Sequence, residues 1–220
     1  NGYELESVSE TFTGDKTKVF IGMPHSKDSD NNFLFDQLIT KVPTAPIDIN
    51  EQSDIFVTSK YCIDQLDHSK SKVQNLWAAG TRTMRELVKK GYWVNGTSNS
   101  LGHEELEILR NSKCIQVMNE KKGLKVLTHR DSKSEHGDIV GCYDRVINDV
   151  TDEYKERLIN TDIFFWTSFN QYQEFVKLVP EIKDKFHCAG LGKTKIKFEE
   201  ENIRVKVFIS VRDFKNWLKG

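Results

Sequence analysis

Two short hydroxyl pairs and two glycine turns are the residues of this chain best suited to chemistry. The pairs are Thr58-Ser59 and Thr167-Ser168, and the turns run from Gly80 to Thr83 and from Gly190 to Thr194. Each follows a short apolar run typical of a buried strand and precedes a helical pattern. Free N–H groups at helix N-termini bind carboxylate or phosphate, and neighbouring hydroxyls add donors. The four turns therefore predict a receptor for an anionic ligand.

Helix capping is the simpler interpretation of the same turns. Ser and Thr are favoured N-cap residues, and for one isolated turn capping alone is the better explanation. The whole phrase recurs, however, first from Asp54 to Gly91 and again from Asp162 to Thr194. That recurrence favours a divided ligand site over four unrelated caps, and both interpretations remain open at this point.

The elements that must position these turns alternate between strand and helix. Such alternation predicts an α/β protein with parallel sheets, and the repeated phrase predicts two similar halves. Ligands of such sheets bind outside the carboxyl ends of the strands, where all four turns fall. Outside the repeat we predict a strand at 18–22, a short amphipathic helix through 33–39, a helix after Ser100, and strands at 114–118, 124–128 and 139–147.

Composition and charge exclude several classes of function. The 220 residues carry 32 Lys and Arg against 33 Asp and Glu, so the formal net charge of −1 indicates neither nucleic acid nor an anionic membrane as a partner. No apolar run approaches the ~20 residues of a membrane helix. The six histidines show no ligand spacing, so no metal site is predicted. The four dispersed cysteines predict buried thiols in a reducing compartment: Cys62, Cys114, Cys142 and Cys188.

An ordered set of motifs resembles the uroporphyrinogen-III synthase family. The set comprises D-I-F-V-T-S from Asp54, A-A-G-T-R-T-M-R-E-L from Ala78, D-I-F-F-W-T-S from Asp162, and A-G-x-x-K-T from Ala189. The stretch NGTSNSLGHEELEIL and the segment G-C-Y-D-R at 141–145 are also similar to segments of that family. The resemblance extends from about residue 18 to the end of the sequence, and it is carried by the order of the motifs rather than by any one of them.

The resemblance implies a fold and a domain organisation. It implies two similar three-layer α/β/α domains with parallel sheets, which are flavodoxin-like halves joined by a two-stranded connection. On that pattern residues 1–16 are an N-terminal extension, residues 17–45 and 147–220 form a discontinuous first domain, and residues 52–140 form an inserted second domain. A cytoplasmic monomer with no metal or organic cofactor is expected. Because the sequence does not begin with Met, hydroxymethylbilane synthase is an expected fused or upstream partner.

The resemblance also implies an activity and the residues that serve it. The family cyclises the linear tetrapyrrole hydroxymethylbilane to uroporphyrinogen III, with inversion of ring D and loss of water. Tyr143 matches the family tyrosine that assists departure of the hydroxyl, and a phenol with a pKa near 10 stays protonated for that task. A tyrosine that only packs against the hinge is the alternative. The implied substrate contacts are Thr58, Ser59, Gly80, Thr83, Thr167, Ser168, Gly190, Lys193 and Thr194.

The sequence departs from the family pattern in three places. The second glycine turn is one residue longer than G-x-x-T, so either Lys193 or Thr194 takes the threonine position. The polar segment 129–138 is shorter than the helix-bearing stretch of the family, and residues 22–27 lack the arginine common after the first strand. A non-catalytic two-domain α/β protein that binds a small polyanionic ligand in an inter-domain cleft is therefore the second hypothesis. The likeness of Gly190–Thr194 to a P-loop fails because His187 stands where a glycine is required.

Overall fold

The computed structural model describes residues 12–14, 16–25, 33–46, 53–67, 75–118 and 122–220. Its strands are β1 (Val19–Ile21), β2 (Leu34–Phe35), β3 (Ile39–Pro43), β4 (Asp54–Val57), β5 (Asn75–Ala78), β6 (Gly96–Thr97), β7 (Leu124–His129), β8 (Asp138–Ile147), β9 (Ile163–Trp166), β10 (Phe186–Gly190) and β11 (Lys206–Phe208). Its helices are α1 (Ile63–Asp67), α2 (Thr81–Lys89), α3 (His103–Arg110), α4 (Lys113–Met118), α5 (Asp152–Ile159), α6 (Phe169–Leu178), α7 (Lys193–Glu200) and α8 (Val211–Leu218), with 3-10 helices at Lys60–Cys62 and Pro180–Asp184. Among these, no helix is both long enough and apolar enough to cross a membrane.

The chain divides into two compact units. The first comprises Asn1–Ile39 and Asn148–Gly220, and the second comprises Thr40–Ile147. The prediction had placed residues 40–45 in the first domain, but they belong to the second unit because β3 pairs with β8 there. Most of the predicted N-terminal extension lies outside the described residues.

The first unit is built on a parallel sheet in the order β2-β1-β9-β10-β11. Numbered within the unit, this is the 2-1-3-4-5 order of flavodoxin-like sheets. All four residues of β9 are buried, as expected for a parallel strand covered on both faces. Phe164 and Trp166 pack with Phe20 in one core cluster, whereas Ile163 and Phe165 pack in another. Helices α5, α6 and α7 contribute to the first cluster and α8 to the second, so the sheet lies between two helical layers.

The second unit repeats this topology with a different point of entry. Its sheet has the order β3-β8-β7-β4-β5-β6, and the pairs from β8 to β6 are parallel. Numbered from β7, those five strands again have the order 2-1-3-4-5, and after the edge strand β3 the chain forms the third of them, β4, first. Thus β4 corresponds to β9, β5 to β10, and β7 to β1. The predicted α/β class with two similar, parallel-sheet halves is confirmed.

Two local predictions are wrong. Residues 33–39 do not form a helix, because Leu34 and Phe35 pair with β1 as strand β2. Residues 114–118 do not form a strand. They belong to α4, where the Gln116 N–H donates to the Ser112 carbonyl at 3.1 Å and Val117 is 88% exposed. Residues 114–118 leave much of their surface exposed, so helical hydrogen bonds stabilise this segment more than a buried place inside a sheet would. The same helix exposes Cys114, so only three of the four cysteines are buried as predicted.

A buried ion pair fixes the amino end of the second sheet. The Arg110 guanidinium donates to Asp54 Oδ2 from Nε at 2.9 Å and lies 2.7 Å from it through Nη2, and both side chains are 3% exposed. Asn75 Nδ2 donates to the other Asp54 oxygen at 2.8 Å, and the Lys122 carbonyl accepts from Arg110 at 2.6 Å. Because each charge has several partners, their desolvation is offset, and α3 is tied to the start of β4.

Candidate functional site

Each sheet has a switch point, the gap between its first and third strands, where connections leave in opposite directions and ligands of such folds bind. In the first unit it lies between the carboxyl ends of β1 and β9, and in the second between those of β7 and β4. Thr167-Ser168 follows β9 and Thr58-Ser59 follows β4, so the two predicted hydroxyl pairs occupy equivalent places.

The two threonines use their hydroxyls in the same way. Thr58 Oγ1 donates to the Leu127 carbonyl at 2.9 Å, and Thr167 Oγ1 donates to the Gly22 carbonyl at 2.9 Å. In each unit the bond crosses the switch point from the third strand to the first. The hydroxyl protons of Thr58 and Thr167 are therefore used to join neighbouring strands.

The two serines are N-caps. Ser59 accepts from the Tyr61 N–H at 3.5 Å, and Ser168 accepts from the Gln171 N–H at 3.2 Å. Capping by the chain itself satisfies donors that an anion would otherwise use. Of the four predicted open N-termini, these two are closed by their own side chains.

The helices after the glycine turns are open instead. The N-cap of α2 is Gly80 and that of α7 is Gly192, and neither end has a side-chain cap. Neither first turn contains an acidic residue, and both contain basic ones, among them Arg82 and Lys193. Cations at the positive end of a helix dipole are unfavourable without an anion nearby. These two ends, rather than the serine-capped ones, have the character of anion receptors.

The second glycine turn differs from its expected alignment. Gly190 is the last residue of β10, whereas Gly192 has φ of 104° and occupies the N-cap place of Gly80. Sequence reasoning missed Gly192, although its position before a basic helical run was a usable signal. The extra residue of this turn is Leu191, which is 57% exposed.

Thr83, Thr194 and Lys193, which were predicted to contact the ligand, differ in their exposure to solvent. Thr83 is buried at 7% exposure in the first turn of α2. Thr194 donates weakly to the Thr167 carbonyl at 3.5 Å, which links α7 to the end of β9. Lys193 is exposed at the first residue of α7. With Gly192 in the place of Gly80, Lys193 corresponds to the exposed Thr81, and the place of the buried Thr83 is taken by Lys195 rather than by Lys193 or Thr194.

The switch point of the first unit is closed by Gln171, a buried residue that sequence reasoning missed. Its amide Nε2 donates to the Gly22 carbonyl at 3.1 Å and to Asp36 Oδ2 at 2.5 Å. Its Oε1 accepts from the Thr167 N–H at 3.2 Å and lies 3.1 Å from Thr167 Oγ1, whose one proton is shared with the Gly22 carbonyl. A Cβ at Gly22 would lie 2.1 Å from Gln171 Oε1, so the amide also fills the space beside this turn. The polar groups at this strand end are bonded to one another.

The switch point of the second unit carries aromatic and titratable groups. Tyr143 lies on β8 beside His129 of β7, with a ring separation of 6.1 Å, and its ring is 5.6 Å from that of Tyr61. Burial raises the pKa of Tyr143 to about 12, the nearby Cys62 thiol adds to the rise, and hydrogen bonding to Ser59 opposes it. The predicted catalytic phenol is therefore protonated at any physiological pH.

His129 is neutral at the same strand end. Burial lowers its pKa, the charges of Arg145 and Lys41 lower it further, and Asp131 opposes them. Its Nε2 lies 3.0 Å from Ser132 Oγ, whereas the buried Nδ1 has no hydrogen-bond partner among the described residues. The imidazole is thus placed as an uncharged neighbour of the Tyr143 ring.

Beneath Tyr143 lie two free thiols, Cys62 and Cys142, both fully buried. A hydrogen bond with Cys142, together with burial, raises the pKa of Cys62. The Cys62 thiol is therefore protonated, and both cysteines pack in the apolar core of the second unit. Among the described residues no cluster of His, Cys, Asp or Glu is able to hold a metal ion.

Comparison with known proteins agrees with this geometry at the level of the fold. No protein-family model and no curated protein matches the chain by sequence. Uroporphyrinogen-III synthetase from Helicobacter pylori 26695 is similar in structure with a TM-score of 0.55 and 13% identity, over 87% of this chain and 92% of that one. The Thermus thermophilus uroporphyrinogen III synthase aligns over 90% of this chain and 98% of that one, with 12% identity and a TM-score of 0.42. The likeness to the Helicobacter pylori synthetase shows that the chain has the fold of that uroporphyrinogen-III synthetase.

Proposed function

We propose that this chain cyclises hydroxymethylbilane to uroporphyrinogen III, with inversion of ring D and release of water. The observation that carries the proposal is the place of Tyr143. The tyrosine of the G-C-Y-D-R motif lies at the carboxyl end of the second sheet, beside its switch point. The fold around it is shared with the Helicobacter pylori synthetase over 87% of this chain.

The chemistry asks for one proton donor. Departure of the substrate hydroxyl as water breaks a C–O bond and requires a proton, while the electron-rich pyrroles supply the electrons. Burial raises the pKa of Tyr143 to about 12, so the phenol carries its proton at neutral pH. It is a weak acid, and the electron push of the pyrroles must drive the proton transfer as the C–O bond breaks. The net reaction loses only water, so a proton released from the substrate on ring closure balances the one donated. The remaining task is to orient ring D, which is a matter of binding.

The substrate carries many carboxylates, whereas the net charge of this chain is only −1. Its binding therefore requires local hydrogen-bond donors rather than a strongly basic protein. The open N-termini of α2 and α7 supply N–H groups, and Arg82 and Lys193 add charge. We propose that the Gly80–Thr83 and Gly190–Thr194 turns contact carboxylates. Ser59 and Ser168 would contribute their hydroxyl protons, because capping uses only a lone pair of each oxygen. Thr58 and Thr167, whose N–H and hydroxyl protons serve the fold, would contribute acceptors for pyrrole N–H groups.

A coupled assay tests the function. Hydroxymethylbilane is supplied enzymatically, and the I and III isomers of the product are separated by chromatography. The proposal expects the III isomer in excess over the I isomer that forms by spontaneous closure. Formation of the I isomer alone, at the uncatalysed rate, would contradict it.

A binding protein without chemistry is the second candidate, and one observation favours it. The Tyr143 side chain is only 5% exposed, so a substrate must displace its neighbours to reach the hydroxyl. This candidate predicts saturable binding of a polycarboxylate porphyrin with no effect on the isomer ratio. The remaining expectations, a cytoplasmic monomer and a hydroxymethylbilane synthase as fused or upstream enzyme, stay predictions.

A further inference from the structure

His129 has one nitrogen that the fold uses and one that it leaves available. Its Nε2 lies 3.0 Å from Ser132 Oγ, which in turn lies 3.0 Å from Thr128 Oγ1. Its Nδ1 is buried, and nothing in the described part of the chain hydrogen-bonds to it. A buried polar atom without a partner costs free energy, so an unpaired nitrogen at the ligand-binding edge of a sheet needs an explanation.

The hydrogen bond to Ser132 fixes the tautomer of the imidazole. A neutral imidazole carries one proton and one lone pair, and the partner of one nitrogen decides the role of the other. If the proton were on Nδ1, the ring would hold a buried N–H without an acceptor, which is rarer in proteins than an acceptor without a donor. The proton is therefore on Nε2, where Ser132 Oγ accepts it, and Nδ1 keeps its lone pair for another donor.

His187 of the first unit shows the usual condition of a buried histidine. The Trp166 indole N–H donates to His187 Nδ1 at 3.2 Å, and His187 Nε2 lies 3.3 Å from the Lys183 carbonyl oxygen. Burial lowers the pKa of His187, as it does for His129. Both imidazoles are thus uncharged, but both nitrogens of His187 serve the fold, whereas only one nitrogen of His129 does.

The surroundings of His129 suit a proton acceptor rather than a cation. Its ring meets that of Tyr143 edge to face, with the ring centroids 6.1 Å apart. Besides burial, the charges of Arg145 on β8 and Lys41 on β3 lower the pKa of His129, and the charge of Asp131 in the following loop opposes them. Because Tyr143 is only 5% exposed, a ligand that reaches its hydroxyl displaces the groups packed around this ring, and His129 is one of them.

We propose that His129 Nδ1 accepts the proton of the pyrrole N–H beside the departing hydroxyl, while Tyr143 donates to the hydroxyl oxygen. This inference rests on the proposed function and adds the acceptor that the reaction requires. The oxygen and the nitrogen of a hydroxymethylpyrrole are joined through two carbon atoms. A donor and an acceptor on the neighbouring strands β7 and β8 are therefore placed to hold both groups of one pyrrole.

The bonds and protons balance over the cycle. The C–O bond and the N–H bond break, a double bond forms between the pyrrole and the former hydroxymethyl carbon, and water leaves. Tyr143 is then a phenolate and His129 an imidazolium. Ring closure forms the new C–C bond, the imidazolium returns its proton to the pyrrole nitrogen, and the proton that ring D loses restores the phenol.

His129→Asn tests the proton transfer. Asn places Oδ1 near the position of Nδ1, so it accepts a hydrogen bond but does not take a proton. In the isomer assay kcat for uroporphyrinogen III should fall about 100-fold, with KM within about threefold. His136→Asn, the same change at an exposed histidine in the loop after β7, is the control and should lose less than about threefold. Equal kcat in the two variants would overturn the proton transfer.

The pH dependence of kcat distinguishes this role from a structural one. Protonation of His129 removes the lone pair, so the rate of wild type should fall as the pH drops through the lowered pKa of this histidine. The same fall should be present in His136→Asn and absent in His129→Asn. An unchanged acid limb in His129→Asn would contradict the inference.

Imidazole 15N NMR tests the acceptor independently of turnover. The probe is uroporphyrinogen III, prepared by reduction of uroporphyrin III, because its pyrrole N–H groups are able to donate. Its addition should shift the Nδ1 resonance of His129 and lower the pKa of that ring further, since an N–H donor stabilises the neutral form. The resonances of His187 should stay in place. A proton on Nδ1 in the free protein, or a His129 resonance unchanged by the probe, would overturn the inference.

The two experiments separate this inference from the proposed function. A shift at His129 Nδ1 in a protein that forms only the I isomer would leave the acceptor standing and overturn the proposed function. Formation of the III isomer with equal kcat in wild type and His129→Asn would overturn the acceptor and leave the proposed function standing.

Discussion

The two switch points have the same backbone and opposite chemistry. Gln171 and Cys62 each lie four residues after the threonine that follows the third strand, so they are equivalent positions. In the first unit the Gln171 amide bonds to Gly22, Asp36 and Thr167 and closes the strand ends with polar contacts. In the second unit Cys62 packs among apolar residues.

The difference shows which parts of the repeated phrase serve the fold. The threonine bridges and serine caps are present in both units with nearly the same geometry, so they are explained by folding alone. The phenols of Tyr61 and Tyr143, the imidazole of His129 and the ammonium of Lys41 lie together at the switch point of the second unit. Since a duplicated scaffold is free to specialise one copy, we assign the proposed proton transfer to the second unit.

The largest effect is expected at the aspartates that begin the third strands. Asp54 pairs with Arg110 in a buried contact, whereas Asp162 pairs with Lys185 at 3.6 Å near the surface. Arg110→Met should lower the free energy of unfolding by about 3–5 kcal/mol because it leaves a buried carboxylate unpaired. Lys185→Met should cost less than about 1 kcal/mol. Urea denaturation measures both, and equal losses would remove this difference between the units.

The second effect concerns Gln171 and Cys62. Gln171→Leu leaves the Thr167 N–H and one Asp36 oxygen without the amide, and should cost about 2–4 kcal/mol. Cys62→Ala removes one buried sulfur and should cost about 1–2 kcal/mol. Urea unfolding of the two variants measures both losses of stability, and Gln171→Leu should have the lower midpoint. A larger loss for Cys62→Ala would mean that the amide network is not what closes the first unit.

The smallest effect is a pH dependence of stability at Tyr143. The pKa of about 12 in the folded state exceeds the unfolded value of about 10, so the folded state holds the proton more tightly. Its contribution is complete below pH 10 and is lost as the pH rises towards 12. Between pH 8 and pH 11, wild type should lose about 1 kcal/mol more than Tyr143→Phe. Identical pH dependence in the two proteins would show that the phenol is solvated.

The sequence was informative where the physical signal is local. Short apolar strands, the caps at Ser59, Ser168 and Ser210, and the stop at Gly91 follow from residue types and spacing. The order of the motifs led to the fold, and the structure shows why the order recurs: the five parallel strands of the second sheet repeat the order of the first, with the third strand formed first. Tyr143 was found because it belongs to that order.

Other features depend on partners distant in sequence. Gln171 contacts Gly22 and Asp36, which are more than 130 residues away, so nothing beside it marks it as a closing residue. Lys41 meets Tyr61 only because β3 and the 3-10 helix are brought together by β8. The helix predicted at 33–39 failed for the same reason, because pairing with β1 outweighed a local apolar pattern.

The proposed specialisation is tested most directly by two matched tyrosine substitutions. Tyr143 and Tyr154 are both buried phenols, one in each unit, and burial raises the pKa of both. The Tyr154 hydroxyl donates to the Phe35 carbonyl at 2.5 Å and has no place in the proposed chemistry. The measurement is the single-turnover rate of uroporphyrinogen III formation, per folded molecule, for Tyr143→Phe and Tyr154→Phe. We predict a loss of about 100-fold for the first and less than about threefold for the second; equal rates in the two variants would contradict the assignment of the proton donor to the second unit.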